Sequence, residues 1–219
     1  MRLYLKLSKN TEIIPYNYQH LLTGVIHKWI GKENEEHGKQ SLYSFSWLQN
    51  TSSNKNGIYL NRDAYFFVSA YNTELIKRIT KGVLADPETF CGSKVIDVQI
   101  KIVPEFSSEE KFFLNSPILI RQRDGEKTKH ITYQDGNFEN LLTENLKGKL
   151  EAANLSKENV LVELDKEYAF PQTKLVNYRG IKNRTTLAPV IIKGTPEQIA
   201  FAWLVGLGNS TGIGFGSIK

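Results

Sequence analysis

Leu3, Leu5 and Leu7 alternate with Arg2, Tyr4 and Lys6 at the start of the chain, and a period of two predicts a strand with one buried face. After Pro15 the period changes. Tyr18, Leu21, Leu22, Val25, Ile26, Trp29 and Ile30 recur at helical spacing, predicting an amphipathic helix whose polar side carries His20, Gly24, His27 and Lys28. Residues 31–40 are polar and predict a loop bearing His37 and Lys39, ahead of a strand at 42–47. Residues 50–57 read as a turn and 58–70 as a strand. Asn72 caps a second helix with the stripe Leu75, Ile76, Ile79, Val83 and Leu84, Asp86-Pro87 breaks it, and 94–103 supplies another strand. The order β-α-β-β-α-β is the ferredoxin-like pattern also used by RNA-recognition modules.

The second half repeats the theme. Residues 112–123 are strand-like, 137–150 are helical with Phe138, Leu141, Leu142, Leu146 and Leu150 on one side, and 160–164 and 189–192 read as strands. Thr195-Pro196-Glu197-Gln198 is a helix start, with an N-cap, Pro at the first position and the Gln of a capping box. Gly206 and Gly208 end that helix, and 212–219 reads as a short closing strand alternating Ile213, Phe215 and Ser217. The fold class expected is therefore α+β, two tandem ferredoxin-like (RRM-like) βαββαβ domains at residues 1–106 and 107–219. Gly206, Gly208, Gly212, Gly214 and Gly216 predict a loop whose backbone N–H groups meet a ligand at close range, a phosphate being the usual one. The Gly-Lys-Ser/Thr ending of a nucleotide-hydrolysing phosphate loop is missing, and a merely connecting turn is the other reading.

A formal charge of +5 and a pI near 9.1 favour a polyanionic partner mildly. The basic stretch between Tyr168 and Pro196, with Lys174, Arg179, Lys182, Arg184 and Lys193 and no acidic residue, suits a phosphate backbone or else a solvated hairpin. Cys91 stands alone, so a disulfide within the chain and a cysteine-based zinc site are excluded, and a reducing compartment is expected. With no secretory signal pattern at the start and no apolar run long enough for a membrane, the cytoplasm is the expected location. No His-x₃-His, Gly-x-Ser-x-Gly or paired-Cys motif is present. His20 and His27 are seven residues apart, roughly 10 Å along a helix, too far to chelate one ion. No metal or other cofactor is expected. RNA can be cut without a metal if one group removes the 2′-OH proton and another protonates the 5′-oxygen, and His27, His37 and Lys39 could supply that set.

Ile14-Pro15-Tyr16-Asn17-Tyr18-Gln19-His20-Leu21-Leu22-Thr23-Gly24-Val25-Ile26-His27, followed by His37-Gly38 ahead of Leu42-Tyr43-Ser44-Phe45-Ser46, resembles the N-terminal half of the CRISPR-associated precursor-RNA endoribonucleases of the Cas six type, in the RAMP superfamily. Asn115-Ser116-Pro117-Ile118 resembles the start of that family's second domain, and 206–216 its C-terminal glycine-rich signature. The resemblance implies metal-independent cleavage of CRISPR repeat RNA, leaving a 2′,3′-cyclic phosphate or 3′-phosphate. It implies a catalytic histidine at His37 and a second catalytic group at His27. A lysine that some members carry would fall near Ser41, so Lys39 is the substitute here. The resemblance also implies a glycine-rich loop packed against the first helix, which Gly24 thins, with RNA backbone passing close by, and a repeat-holding hairpin at Lys174, Arg179, Lys182 and Arg184. A second copy of the chain and a CRISPR interference complex are further partners compatible with it. Two other readings stay open: a non-cleaving repeat-RNA-binding subunit, and a ferredoxin-like ligand or assembly module unrelated to RNA.

Overall fold

The computed structural model describes residues 1–31, 41–125 and 127–219. Alternation makes β1 (Arg2–Leu7) the middle of the first sheet: Leu3, Leu5 and Leu7 are fully buried in one core with α1 (Gln19–Ile30) and α2 (Thr73–Ala85). β2 (Tyr43–Phe45), β3 (Gln49–Asn54), β4 (Gly57–Ala70) and β5 (Val95–Lys101) complete it, in the antiparallel order β2-β4-β1-β5 with β3 also on β4. The Asn72 side chain accepts from Glu74 N and starts α2. The segment expected as a turn at 50–57 is mostly strand: β3 pairs with the first half of β4, and only Lys55 and Asn56 turn. Most side chains of β3 are exposed, so no apolar alternation betrays it.

In the second half the chain runs β6 (Glu109–Phe112), β7 (Ile120–Asp124), β8 (Lys127–Ile131), α3 (Phe138–Ala152), β9 (Leu161–Leu164), β10 (Gln172–Tyr178), β11 (Ile181–Leu187), β12 (Val190–Lys193) and α4 (Pro196–Val205). The sheet β6-β12-β9 is antiparallel. The C-terminal residues extend it beside the segment after β6, where Phe113 and Lys219 exchange backbone bonds of 3.2 and 2.9 Å and Asn115 N donates to Ser217 O at 2.8 Å. The result is a second ferredoxin-like pattern with a much shortened last strand.

Three expectations change here. Residues 112–123 are not one strand, because Pro117 has no N–H for a ladder and the chain leaves β6 to begin β7. The closing strand shrinks to 217–219, since Thr211–Ile213 form a 3₁₀ turn and Gly214 and Gly216 take positive φ. The basic stretch does contain a hairpin, β10–β11, but Lys193 lies outside it on β12, where it is 2.7 Å from Glu163.

Two hairpins, β7–β8 and β10–β11, are thus inserted into the second sheet's connections. They are tied by reciprocal 2.9 Å bonds between Ile118 and Thr186. A second core, from Phe112 to Ile218, fills the space under α3 and α4.

The C-terminus of α4 joins the two halves. A helix leaves its last carbonyls unpaired within itself, and here distant side chains take them. Arg2 Nη2 donates to Trp203 O at 2.7 Å and to Ile218 O at 2.8 Å, Ser44 Oγ donates to Leu204 O at 3.1 Å, and Lys149 Nζ donates to Gly206 O at 3.0 Å. The Arg2 guanidinium lies between the Phe67 and Trp203 rings, 4.0 and 3.5 Å from their centroids. The capping box at the other end of α4 forms as expected, Thr195 with Gln198.

Candidate functional site

His27 sits in the last turn of α1, half-buried. The Tyr43 hydroxyl of β2 donates to Gly212 O at 3.0 Å and lies 3.5 Å from His27 Nε2. His37 and Lys39 lie outside the described residues. Of their described flanks, Gly31 ends α1 one turn past His27, and Ser41 abuts Gly212, where a Cβ would come 2.5 Å from Ser41 Oγ. His27, Tyr43, Ser41 and the glycine-rich loop therefore form one neighbourhood.

The five candidate glycines sit where the two halves meet, all of them buried. Gly212 lies against Ser41 and the Tyr43 ring, and Gly214 against the Phe45 ring, so side chains there would push the loop off β2. Gly216 is the tightest: at φ 63° its Cβ would meet Leu207 O at 1.7 Å. Gly206 and Gly208 also take positive φ. Three of the N–H groups are occupied by protein carbonyls, Gly206 by Ala202 O at 2.8 Å, Gly214 by Thr211 O at 3.1 Å and Gly216 by Pro117 O at 2.8 Å. The loop packs against α1 as well, where Gln19 Nε2 donates to Ile213 O at 2.7 Å. Gly24 is exposed on α1 and a Cβ there would meet open space.

The basic residues of β10–β11 divide between two faces. Cross-strand partners share a face, so Lys174 opposite Thr185 points with buried Val176 and Asn183 toward the body of the protein. Arg184 opposite Leu175 and Lys182 opposite Asn177 are exposed on the other face, and Arg179, also exposed, occupies the hairpin tip at φ 49°. Lys174 is exposed as a residue, yet its amine lies 4.7 Å from the Trp47 ring centre, and lost water lowers its pKa.

Two features escaped sequence reasoning. The β7–β8 hairpin carries Arg121, Arg123, Lys127 and Lys129, all exposed, next to the Arg184 face, with Arg184 Nη2 3.4 Å from Gln134 Oε1. Its signal was the Asp124-Gly125 turn within an alternating basic run. Arg121 also fastens the loop: its N–H donates to Asn209 Oδ1 at 2.8 Å and its guanidinium to Ser210 Oγ. The second feature is Lys149, wholly buried behind the loop, whose amine also reaches Val205 O and Thr211 Oγ1, both at 3.4 Å. Burial pushes that amine down to about 7, while the carbonyl end of α4 pulls the other way. Among the described residues no three His, Cys, Asp or Glu side chains gather closely enough to hold a metal. No helix among them is long and apolar enough to cross a membrane.

Residues 100–219, more than half of the chain, match the family described as CRISPR associated protein Cas6, C-terminal. The chain belongs to the Cas6 family. It is 28% identical over 234 residues to a CRISPR-associated endoribonuclease Cas6 of Methanocaldococcus jannaschii, spanning all of this chain and 92% of that protein. A putative CRISPR-associated endoribonuclease-like protein Cas6 of Pyrococcus furiosus is 27% identical, over 100% and 98% of the two chains. A solved structure of a CRISPR associated protein Cas6 superposes with a TM-score of 0.84 at 26% identity, covering 100% of this chain and 98% of that one. The tandem ferredoxin-like architecture is thus the Cas6 architecture. In this Cas6 chain the glycine-rich loop is the seam between the halves, with His27 at one end of α1 and two basic hairpins nearby.

Proposed function

We propose that this chain is a metal-independent endoribonuclease that cleaves CRISPR repeat transcripts into guide RNAs. The observation that carries the reading is His27 held beside Tyr43 and Gly212 in a chain of the Cas6 family, alongside relatives named as endoribonucleases. Cleavage proceeds by attack of a 2′-OH on the adjacent phosphorus: the P–O bond to the 5′-oxygen breaks, and the upstream product keeps a 2′,3′-cyclic phosphate. His27 and His37 exchange the two protons, one accepting from the 2′-OH and the other donating to the leaving oxygen. Lys39 stabilises the phosphorane charge. The outward face of β10–β11, with Arg179, Lys182 and Arg184, and the exposed β7–β8 arginines and lysines hold the RNA backbone. The rim of the loop, where the N–H groups of Gly206, Gly214 and Gly216 already have protein partners, contributes close approach rather than a phosphate cradle, and Lys174 meets a phosphate from the other face of β10. We assign residues 1–106 and 107–219 as the two domains, and a second copy of the chain or an interference complex as further partners beside the repeat RNA.

A labelled repeat transcript incubated with the protein in EDTA tests the reading. Cleavage at one site, lost in His37→Ala or His27→Ala with binding kept, is the expected result; EDTA-sensitive cleavage, or full activity in both variants, overturns it. The P. furiosus relative's name, endoribonuclease-like, favours a second reading, a non-cleaving RNA-binding subunit. Binding without cleavage by the wild type would select it.

A further inference from the structure

Between the N-terminal end of α1 and strand β10 lies a cleft of about 300 Å³, lined by Tyr16, Gln19, Trp47, Lys174 and Asn177 among others. Every polar group on its wall is a hydroxyl, an amide or an indole, apart from the single cation Lys174, and no acidic residue lines it. Among the described residues no carboxylate forms an ion pair with Lys174, whose amine instead sits over the Trp47 ring. The Trp47 ring is half-buried and fixed by its Nε1–H, which donates to Gly214 O at 2.7 Å. Tyr16 is 60% exposed at the mouth. The Gln19 side chain is held in one orientation by its donation to Ile213 O, and this leaves its Oε1 shielded from water without a hydrogen-bond partner. An unsatisfied acceptor enclosed beside the cleft is costly, and a small turn of the Gln19 amide toward the cleft would let an arriving donor relieve it.

We propose that this cleft takes one unpaired nucleobase of the bound RNA, stacked against Trp47 with an N–H edge toward Gln19 Oε1 and its phosphate at Lys174. The chemistry fits that occupant: a flat π-face for the indole, an N–H donor for the orphaned amide oxygen, and an anion for a lysine with no carboxylate. Gln19 and His27 are eight residues apart on α1, about 12 Å along the axis, so the base taken here is set back from the nucleotide that is cut. The cleft would thereby fix the register of the strand relative to the cleavage site. The inference rests on the RNA-binding reading above.

The test replaces each nucleotide of the repeat RNA in turn by an abasic one and measures binding to the full chain by fluorescence anisotropy. One position should cost the wild type about tenfold in Kd, the loss of one stacked base, and the same substitution should cost Trp47→Leu less than about twofold. Tyr16→Ala, a surface change outside both cores, should shrink the penalty at that same position, while Trp47→Phe should retain it. If every abasic position costs wild type and Trp47→Leu alike, the cleft holds no base and the proposal fails, with RNA binding intact. If the wild type does not bind unmodified repeat RNA at all, the functional reading and this inference fall together.

Discussion

Gly216 and Lys149 set the glycine-rich loop from opposite sides. Gly216 combines a left-handed φ of 63° with a backbone oxygen where a Cβ would be. Alanine there adds left-handed strain to a clash that flexible side chains cannot relieve, so Gly216→Ala should lose about 2–5 kcal/mol of unfolding free energy. Urea denaturation checks this, and a stability equal to wild type would show that the loop can move away from Leu207. Lys149 predicts a pH dependence. Its folded pKa is depressed from 10.5 to about 7 by burial, so between those values the unfolded chain binds the extra proton and stability rises with pH, by up to about 1.4 kcal/mol per unit. Below about 7 both states are protonated and the slope vanishes. The wild type should therefore gain on Lys149→Met between pH 7 and 9 in parallel urea titrations. A constant difference would mean that the α4 carbonyls hold the ammonium charged throughout.

Strand register decides what the hairpins can do. The turn at Arg179-Gly180 pairs Tyr178 with Ile181, and that single constraint sends Lys182 and Arg184 outward and Lys174 inward. If the outward face tracks RNA phosphates, replacing Arg179, Lys182 and Arg184 together by Ala should weaken repeat binding and flatten its salt slope by up to about 2, at roughly 0.7 per single-strand contact. Unchanged affinity from 50 to 200 mM salt would remove the assignment. Composition marked the stretch as basic but could not show this division, because register depends on where the turn falls. Elements with a strong apolar period were legible from sequence: β1, α1, α2, α3 and the capping box of α4. β3 was not, since a polar edge strand held by backbone bonds has no period to read. The closing strand was over-read, because the alternation of Ile213, Phe215 and Ser217 runs through a 3₁₀ turn and two positive-φ glycines rather than extended backbone.

Across the whole molecule the least legible residue is Arg2. Alternation with Leu3 placed it on the polar face of β1, which in an isolated sheet would face water; here that face is covered by α4 of the other half, and Arg2 is 1% exposed. Nothing within a few residues of Arg2 announces partners more than 200 positions away. The same arrangement explains why α4 can end where it does: its carbonyls are met by the N–H and O–H donors of Arg2, Ser44 and Lys149, drawn from both halves. The seam is therefore a condition of the glycine-rich loop that follows α4, and through Gly212 and Tyr43 it sets the surroundings of His27. Arg2→Met keeps much of the buried volume between Phe67 and Trp203 but orphans Trp203 O and Ile218 O, a loss of about 2–5 kcal/mol. If seam and site are coupled in this way, Arg2→Met should also slow repeat cleavage more than it weakens repeat binding, even at temperatures where the variant is fully folded. Single-turnover cleavage and anisotropy on the same preparation separate the two effects. Wild-type cleavage by a destabilised Arg2→Met would show that the seam holds the halves together without tuning the site between them.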